Sequence, residues 1–148
     1  QGEHLIKAIK ASQAITSANG VAGATAINGA TLDMSGFEGV LMVVVFGVIT
    51  VSAVTSIKAQ RGEASNLSDA ADLLGTSQTV LDTDDGLVFY IDILRPVERY
   101  VRLVVSRGTA NAVVASAMYY QYSSHENPTT QPSGVAGETF VDATEGTS

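Results

Sequence analysis

Three features of this 148-residue chain predict an all-β protein, an antiparallel β-sandwich or a jelly-roll-like barrel with one short helix and an extended C-terminal arm. β-Branched residues crowd its longest uncharged run. Apolar and polar residues alternate with a period of two in several later segments. Turns rich in Gly, Asn and Asp separate these segments at short intervals. No long helical pattern alternates with them, which argues against a doubly wound α/β fold. A chain of this size buries roughly 70% of the surface it exposes when unfolded, enough for one core. It has no Cys, so disulfides and thiolate metal sites contribute nothing to that core.

The first element, over 4–10 (HLIKAIK), reads equally as a strand or a short helix. Residues 11–30 are rich in Gly, Ala, Ser and Thr and carry Asn19-Gly20 and Asn28-Gly29, both strong turn signals. Loops with one or two short strands are expected there, then a strand near 31–35. The uncharged run, GVLMVVVFGVITVSAVTSI at 39–57, lies between Glu38 and Lys58. Its length just reaches the ~17–25 residues of a membrane-spanning helix. Against that reading, Val43, Val44, Val45 and many neighbours are β-branched, while Thr50, Ser52, Thr55 and Ser56 dilute its second half. Ile49, Val51 and Ala53 alternate with Thr50 and Ser52, as in a strand with one polar face. Two antiparallel strands are predicted, 39–46 and 48–58, joined by a tight turn or kinked at Gly47.

A loop over 60–64 follows, then a short helix over 66–75. Asn66 or Ser68 would cap that helix, Asp69 suits its positive end, and Gly75 stops it. Residues 76–81 read as a strand and 82–86 as a polar turn. In 87–94, Leu87, Phe89, Ile91 and Ile93 share one face, with Asp92 on the other. Arg95-Pro96 breaks this strand. In 99–107, Val101, Leu103 and Val105 point inward, a turn follows at 108–111, and 112–122 forms the last strand. Residues 1–122 thus make the β-sandwich domain, with 1–30 as an N-terminal arm or loops. Residues 123–148 hold two prolines, four acidic residues and no Lys or Arg, too little apolar surface to fold alone. They read as a disordered tail or as an acidic arm laid on a neighbouring subunit, anchored by Val135 or by Phe140 and Val141.

A net charge of −7 and a pI near 4.6, with eight basic residues spread along the chain, argue against nucleic acid as a partner. The first residues carry no sustained apolar segment after their basic positions, so no secretory signal is expected. His4 and His125, the only groups that ordinarily titrate near neutrality, lie near the expected flexible ends and read as solvated surface. Asp82, Asp84 and Asp85 beside Gly86 match a fragment of a calcium loop, without a closing Glu, and read better as an acidic turn. Asp69 and Asp72 fall one turn apart on the expected helix, as a solvated face. No G-x-x-x-x-G-K, H-E-x-x-H or G-x-S-x-G occurs. No catalytic residue, cofactor or metal is therefore expected, and the chain does not read as an enzyme. Arg95, Arg99, Arg102 and Arg107 are the notable basic cluster. They would either contact an acidic partner through bidentate pairs or pair internally with Asp92, Glu98 or the acidic turn.

Three stretches, LDMSGFEGVLMVVVFGVIT at 32–50, SDAADLLGTSQTV at 68–80 and RPVERYVRLVVSRGTANAVV at 95–114, together resemble short proteins of tailed bacteriophages encoded near the major capsid protein. Members with an assigned role are capsid decoration, or cement, proteins. The resemblance spans roughly 32–122 and rests on packing and turn patterns. It implies a small β-rich module on the outer surface of the virion, bridging major capsid protein subunits. Self-association as a homotrimer is implied first and a dimer second, without nucleic acid or membrane. The chain's 16% of charged residues, against about 25% in an ordinary domain, suits repeated contacts with neighbours. The competing expectations are another virion component (neck, tail or head fibre) and a carbohydrate-binding β-sandwich.

Overall fold

The computed structural model describes residues 3–141, which form two antiparallel sheets packed into a sandwich. In chain order the strands are β1 (Lys10–Ile15), β2 (Ile27–Asn28), β3 (Leu32–Asp33), β4 (Phe37–Ile49), β5 (Val54–Gly62), β6 (Ala71–Asp72), β7 (Gln78–Val80), β8 (Val88–Leu94), β9 (Tyr100–Gly108) and β10 (Ala112–Ser124). One sheet runs β1-β10-β4-β8. The other is built on the β9–β5 pair, with β2 and β3 along the far side of β9 and β6 and β7 along the far side of β5.

The uncharged run is pleated. Val40, Met42, Val44 and Phe46 of β4 point into the core at 1% exposure or less, while Leu41, Val43 and Val45 point out. The chain does not turn at Gly47, and the two strands expected on either side of it are one. Between the pairs Ile49–Ala112 and Phe46–Val114, Gly47 and Val48 together oppose Val113, a bulge that bends the strand and restores Ile49 to the core. A Cβ on Gly47 would lie 3.0 Å from Val113 Cγ1. The reversal comes three residues later, where the Ala53 amide donates to the Thr50 carbonyl at 3.0 Å and Ser52 takes φ 75°. Among the described residues no helix is long and apolar enough to cross a membrane.

The short helix expected over 66–75 is absent. Its would-be capping residues serve turns instead: Asn66 Oδ1 accepts the Ser68 amide, and the Asp69 carboxylate accepts the Glu63 and Ala64 amides. Short polar side chains compete in this way with helical hydrogen bonding. Leu67, at φ 54°, is buried, and the Leu73 amide pairs with the Ala59 carbonyl on β5. Tertiary contacts therefore override a weak local preference. The helical element that does form is a 3-10 turn at Leu5–Lys7, within the stretch read as strand or helix. β5 continues to Gly62, into the stretch read as a loop, and Leu87 falls outside β8 and stays half exposed.

The inner faces meet as expected along β9, where Val101, Leu103 and Val105 are fully buried against the β4 and β10 side chains. One gap in this layer is closed by a side chain. Ile27 on β2 pairs with Val105 and Leu32 on β3 pairs with Val101, which leaves Leu103 between the two short strands. The Gly29 amide donates to the Leu103 carbonyl at 2.6 Å. The Leu103 amide donates to Tyr119 Oη at 2.8 Å, and that hydroxyl donates to the Ala30 carbonyl at 2.8 Å. Tyr119 comes from β10 in the opposite sheet and is 1% exposed, so its phenol ties the layers together. Burial pushes its ionisation well above the ordinary tyrosine range and keeps the donor proton in place. Replacing it by Phe keeps the packing and orphans the Leu103 amide. Tyr119→Phe should cost about 1–3 kcal/mol in urea unfolding, with the slope unchanged; an unaltered midpoint would show that the hydroxyl is dispensable.

Candidate docking face

The two outer faces of the sandwich differ in kind. Outside the β9–β5 sheet, Lys58 pairs with Asp72 at 3.1 Å, Asp72 accepts from Gln60 Nε2 at 2.9 Å, and Gln60 Oε1 accepts from Arg102 at 2.9 Å. The Gln60 and Lys58 side chains hold the Asp72 carboxyl below its usual range. This is a connected polar surface suited to water.

Outside the other sheet the side chains are mostly apolar. Val45 lies between Val88 and Ser116, Val43 between Tyr90 and Met118, and Leu41 between Asp92 and Tyr120. None of β4, β8 and β10 contains a Lys or Arg. Val88 and Tyr90 are 59% and 64% exposed, so this side is open at the β8 border. In the sequence, the signal was the unbroken apolar run at 40–46. Strands with apolar residues at both parities are normally covered on both faces, and here only one face is covered by the chain itself. Sequence reasoning named the run but did not draw its outer half as a site.

Tyr122 flattens this face. A Cβ on Gly39 would lie 2.3 Å from Tyr122 Cζ, so the ring crosses β4 where that strand has no side chain. Its hydroxyl donates to Asp92 Oδ1 at 2.5 Å on the far strand. Burial of the ring, then the hydrogen bond and charge of Asp92, push the phenol up to about 12.

The residues proposed from sequence as partner contacts scatter over the molecule, and three of the four arginines are strongly engaged internally. Arg99 pairs bidentately with Asp33, Nε to Oδ1 and Nη2 to Oδ2 both at 2.9 Å, and that hydrogen bonding holds the Asp33 carboxyl below its usual range. Arg107 donates to the carbonyls of Thr25, Val21 and Ala112 and fixes the 21–25 loop. Arg102 belongs to the polar face. Arg95 alone is loose, its Nε 3.7 Å from Glu38 and its side chain 77% exposed. The internal partners are therefore Asp33, Gln60, Glu38 and backbone carbonyls, not the expected Asp92, Glu98 or acidic turn. Asp92 is taken by Tyr122, and Glu98 lies 3.5 Å from Arg61. In the acidic turn, Asp82 accepts the Ser52 amide and Asp84 the Leu81 amide. Among the described residues, no three His, Cys, Asp or Glu side chains are gathered as metal ligands would be.

His125 Nε2 meets the Glu38 carboxylate, and that hydrogen bond draws Glu38 below its usual range. Both groups are substantially exposed, and no hydroxyl is bonded to the ring among the described residues. His4 precedes the 3-10 turn, where its carbonyl accepts the Lys7 amide.

The C-terminal segment folds back on its own N-terminal residues. The Thr129 amide donates to the Lys7 carbonyl at 2.9 Å, and Gln131 Nε2 donates to the carbonyls of Ile6 and Ile9 at 3.0 and 2.8 Å. Gln131 Oε1 accepts the Ala11 amide at 2.8 Å. One side-chain amide thus stands in for a peptide unit along the outer edge of β1. Beyond this clasp Val135 is half-buried, whereas Phe140 and Val141 are exposed at 75% and 78%. The arm's last residues, 142–148, lie outside the described residues.

Comparison of the chain with protein-family models, with curated proteins and with solved structures finds no match. The face is therefore read on its own geometry.

Because the Tyr122 phenol is raised from 10.0 to about 12, its contribution to stability is complete below pH 10 and lost as pH climbs toward 12. Asp92→Asn removes the charge but not the burial. Its tyrosinate absorbance titration should show one phenol moving down toward, but not reaching, the ordinary value; superimposable titrations of variant and parent would count against the Tyr122–Asp92 contact.

Proposed function

We propose that this chain is a virion structural protein that decorates and stabilises the outside of a tailed-phage capsid by bridging major capsid protein subunits. It acts by surface contact, without a chemical step. The observation that carries the reading is the contrast between the faces. A polar, ion-paired sheet suits the solvent side of a particle, and a largely apolar face without Lys or Arg on β4, β8 and β10 suits burial against a shell. The resemblance of 32–122 to decoration proteins supplies the kind of shell. The clasped segment supports the same reading. Thr129 and Gln131 fix its root beside β1, and Phe140 and Val141 further along are exposed. Many such modest contacts on one lattice act together.

A second reading has one observation behind it. Tyr90, Tyr120, Tyr122 and Asp92 share the apolar face, and aromatic rings beside a carboxylate are also the materials of a carbohydrate platform.

Expanded heads lacking this protein, mixed with the purified chain and sedimented, test the proposal. The chain should co-sediment and appear in cryo-EM maps as density on the outer shell, with the β4–β8–β10 face inward. Val43→Glu, at the centre of that face, should weaken binding by ~30-fold or more, as loss of a central contact does. Lys58→Ala on the polar face should leave binding unchanged. Truncation after Pro132 keeps the clasp and should weaken binding while the core still unfolds at its usual midpoint. Saturable binding to glycans, with none to heads, would transfer the face to the second reading.

A further inference from the structure

We infer that the free edge of β8 pairs antiparallel with β8 of a second copy of this chain, joining the two apolar sheets into one continuous sheet. The inference stands on the edge itself and does not require the capsid reading. β8 is the last strand of its sheet, bonded to β4 on one side only. On that side the Leu87 carbonyl accepts from Phe46 and the Arg95 amide donates to Glu38, which places the odd-numbered backbone groups toward β4. In an antiparallel ladder the alternate residues then direct both amide and carbonyl outward. Those are Val88, Tyr90, Asp92 and Leu94. The Tyr90 carbonyl confirms the direction, since it accepts Gln78 Nε2 from β7 in the other sheet. A carbonyl has a second lone pair, so this contact does not consume the edge.

Soluble proteins usually blunt such an edge with Lys, Pro, a bulge or a covering segment. At the other end of the same sheet, the start of β1 is engaged by Gln131, which accepts the Ala11 amide and donates to the Ile9 carbonyl. β8 has the sequence VFYIDIL, with no Lys, Pro or Gly, and its register against β4 is unbroken. A two-fold axis through Ile91 sets Tyr90 against Asp92 of the second copy and Val88 against Leu94, all on the outer face. An interface of this kind is self-complementary.

Charge selects the antiparallel sense and the occupant. At one end of β8 stands Arg95, 77% exposed and 3.7 Å from its nearest carboxylate oxygen. At the other end stands the turn with Asp82, Asp84 and Asp85, where Asp85 is exposed. Two-fold pairing brings Arg95 of each copy beside the acidic turn of the other. Opposite charges at such positions stabilise strand pairing. A second copy therefore meets complementary charge at both ends and no charge opposite charge of like sign along the strand, although each chain carries a net −7.

Sedimentation equilibrium of the full chain tests this, with thermal unfolding as a check on folding. The parent should associate to dimers as concentration rises. Tyr90→Pro removes an amide that β4 does not use, and Tyr90→Lys puts a cation on the edge; each should leave a folded monomer. Arg95→Glu should weaken dimerisation by ~10-fold or more, two attractive pairs becoming repulsive. Arg95→Glu with Asp85→Arg should restore it. A parent that stays monomeric, or an oligomer indifferent to both Tyr90 substitutions, overturns the inference. Failure of the double reversal to recover association overturns the antiparallel register.

Discussion

Everything in this sandwich hangs on satisfying the backbone where the second sheet is incomplete. β2 and β3 are each only two residues long, so Leu103, which pairs with Ala59 of β5 on one side, has no strand partner on the other, at the centre of the core. A buried amide without a partner costs about as much as a well-placed residue contributes. Tyr119 resolves this from the facing sheet, and Gly29 resolves the carbonyl from the loop. The solution fixes the spacing of the layers, because one hydroxyl must reach β9 and Ala30 together. It also fixes the path of the 29–30 loop, since any side chain at 29 would collide with Leu103 or Tyr119.

With the layers set, the outer surfaces follow from strand parity. β5 and β9 carry polar side chains at several outward positions, so their outer side shows Lys58, Gln60 and Arg102, although Val104 interrupts the alternation on β9. β4 is apolar at both parities over 40–46, so its outer side stays greasy however the core is packed. Tyr122 lying across Gly39 extends that surface toward β8 instead of interrupting it. The molecule is thus polar and ion-paired on one broad side and largely apolar on the other, where the Asp92 carboxylate is bonded to Tyr122.

Much of this was legible in the sequence, and the failures have physical causes. The β class, the inward faces of β8 and β9 and the turn at 108–111 follow from period-two patterns dense in β-branched residues. The chain reversal was sought at Gly47 because glycine breaks strands, yet there it relieves a close approach to Val113, and the turn falls on Ser52, a residue without that signal. The helix over 66–75 failed because Asn66 and Asp69 are equally good at closing turns, and only contacts with β5 decide between the two. The arginines were legible as a cluster but not as individuals. Asp33 and the carbonyls of Val21 and Thr25 lie far from them in sequence, and nothing local announces such partners. The outer face was the reverse case, written plainly in the run of valines and misjudged because a core explanation sufficed for half of it.

The glutamine that stoppers β1 has a consequence for growth. A sheet open at both rims can add copies without limit, which is the route to fibres. Here Gln131 engages Ile9 and Ala11 at the β1 rim, so copies joined through β8, as inferred above, would present partly occupied ends to the next arrival. A limit on lateral addition would then reside in Gln131 of the C-terminal segment, not in the strands it protects.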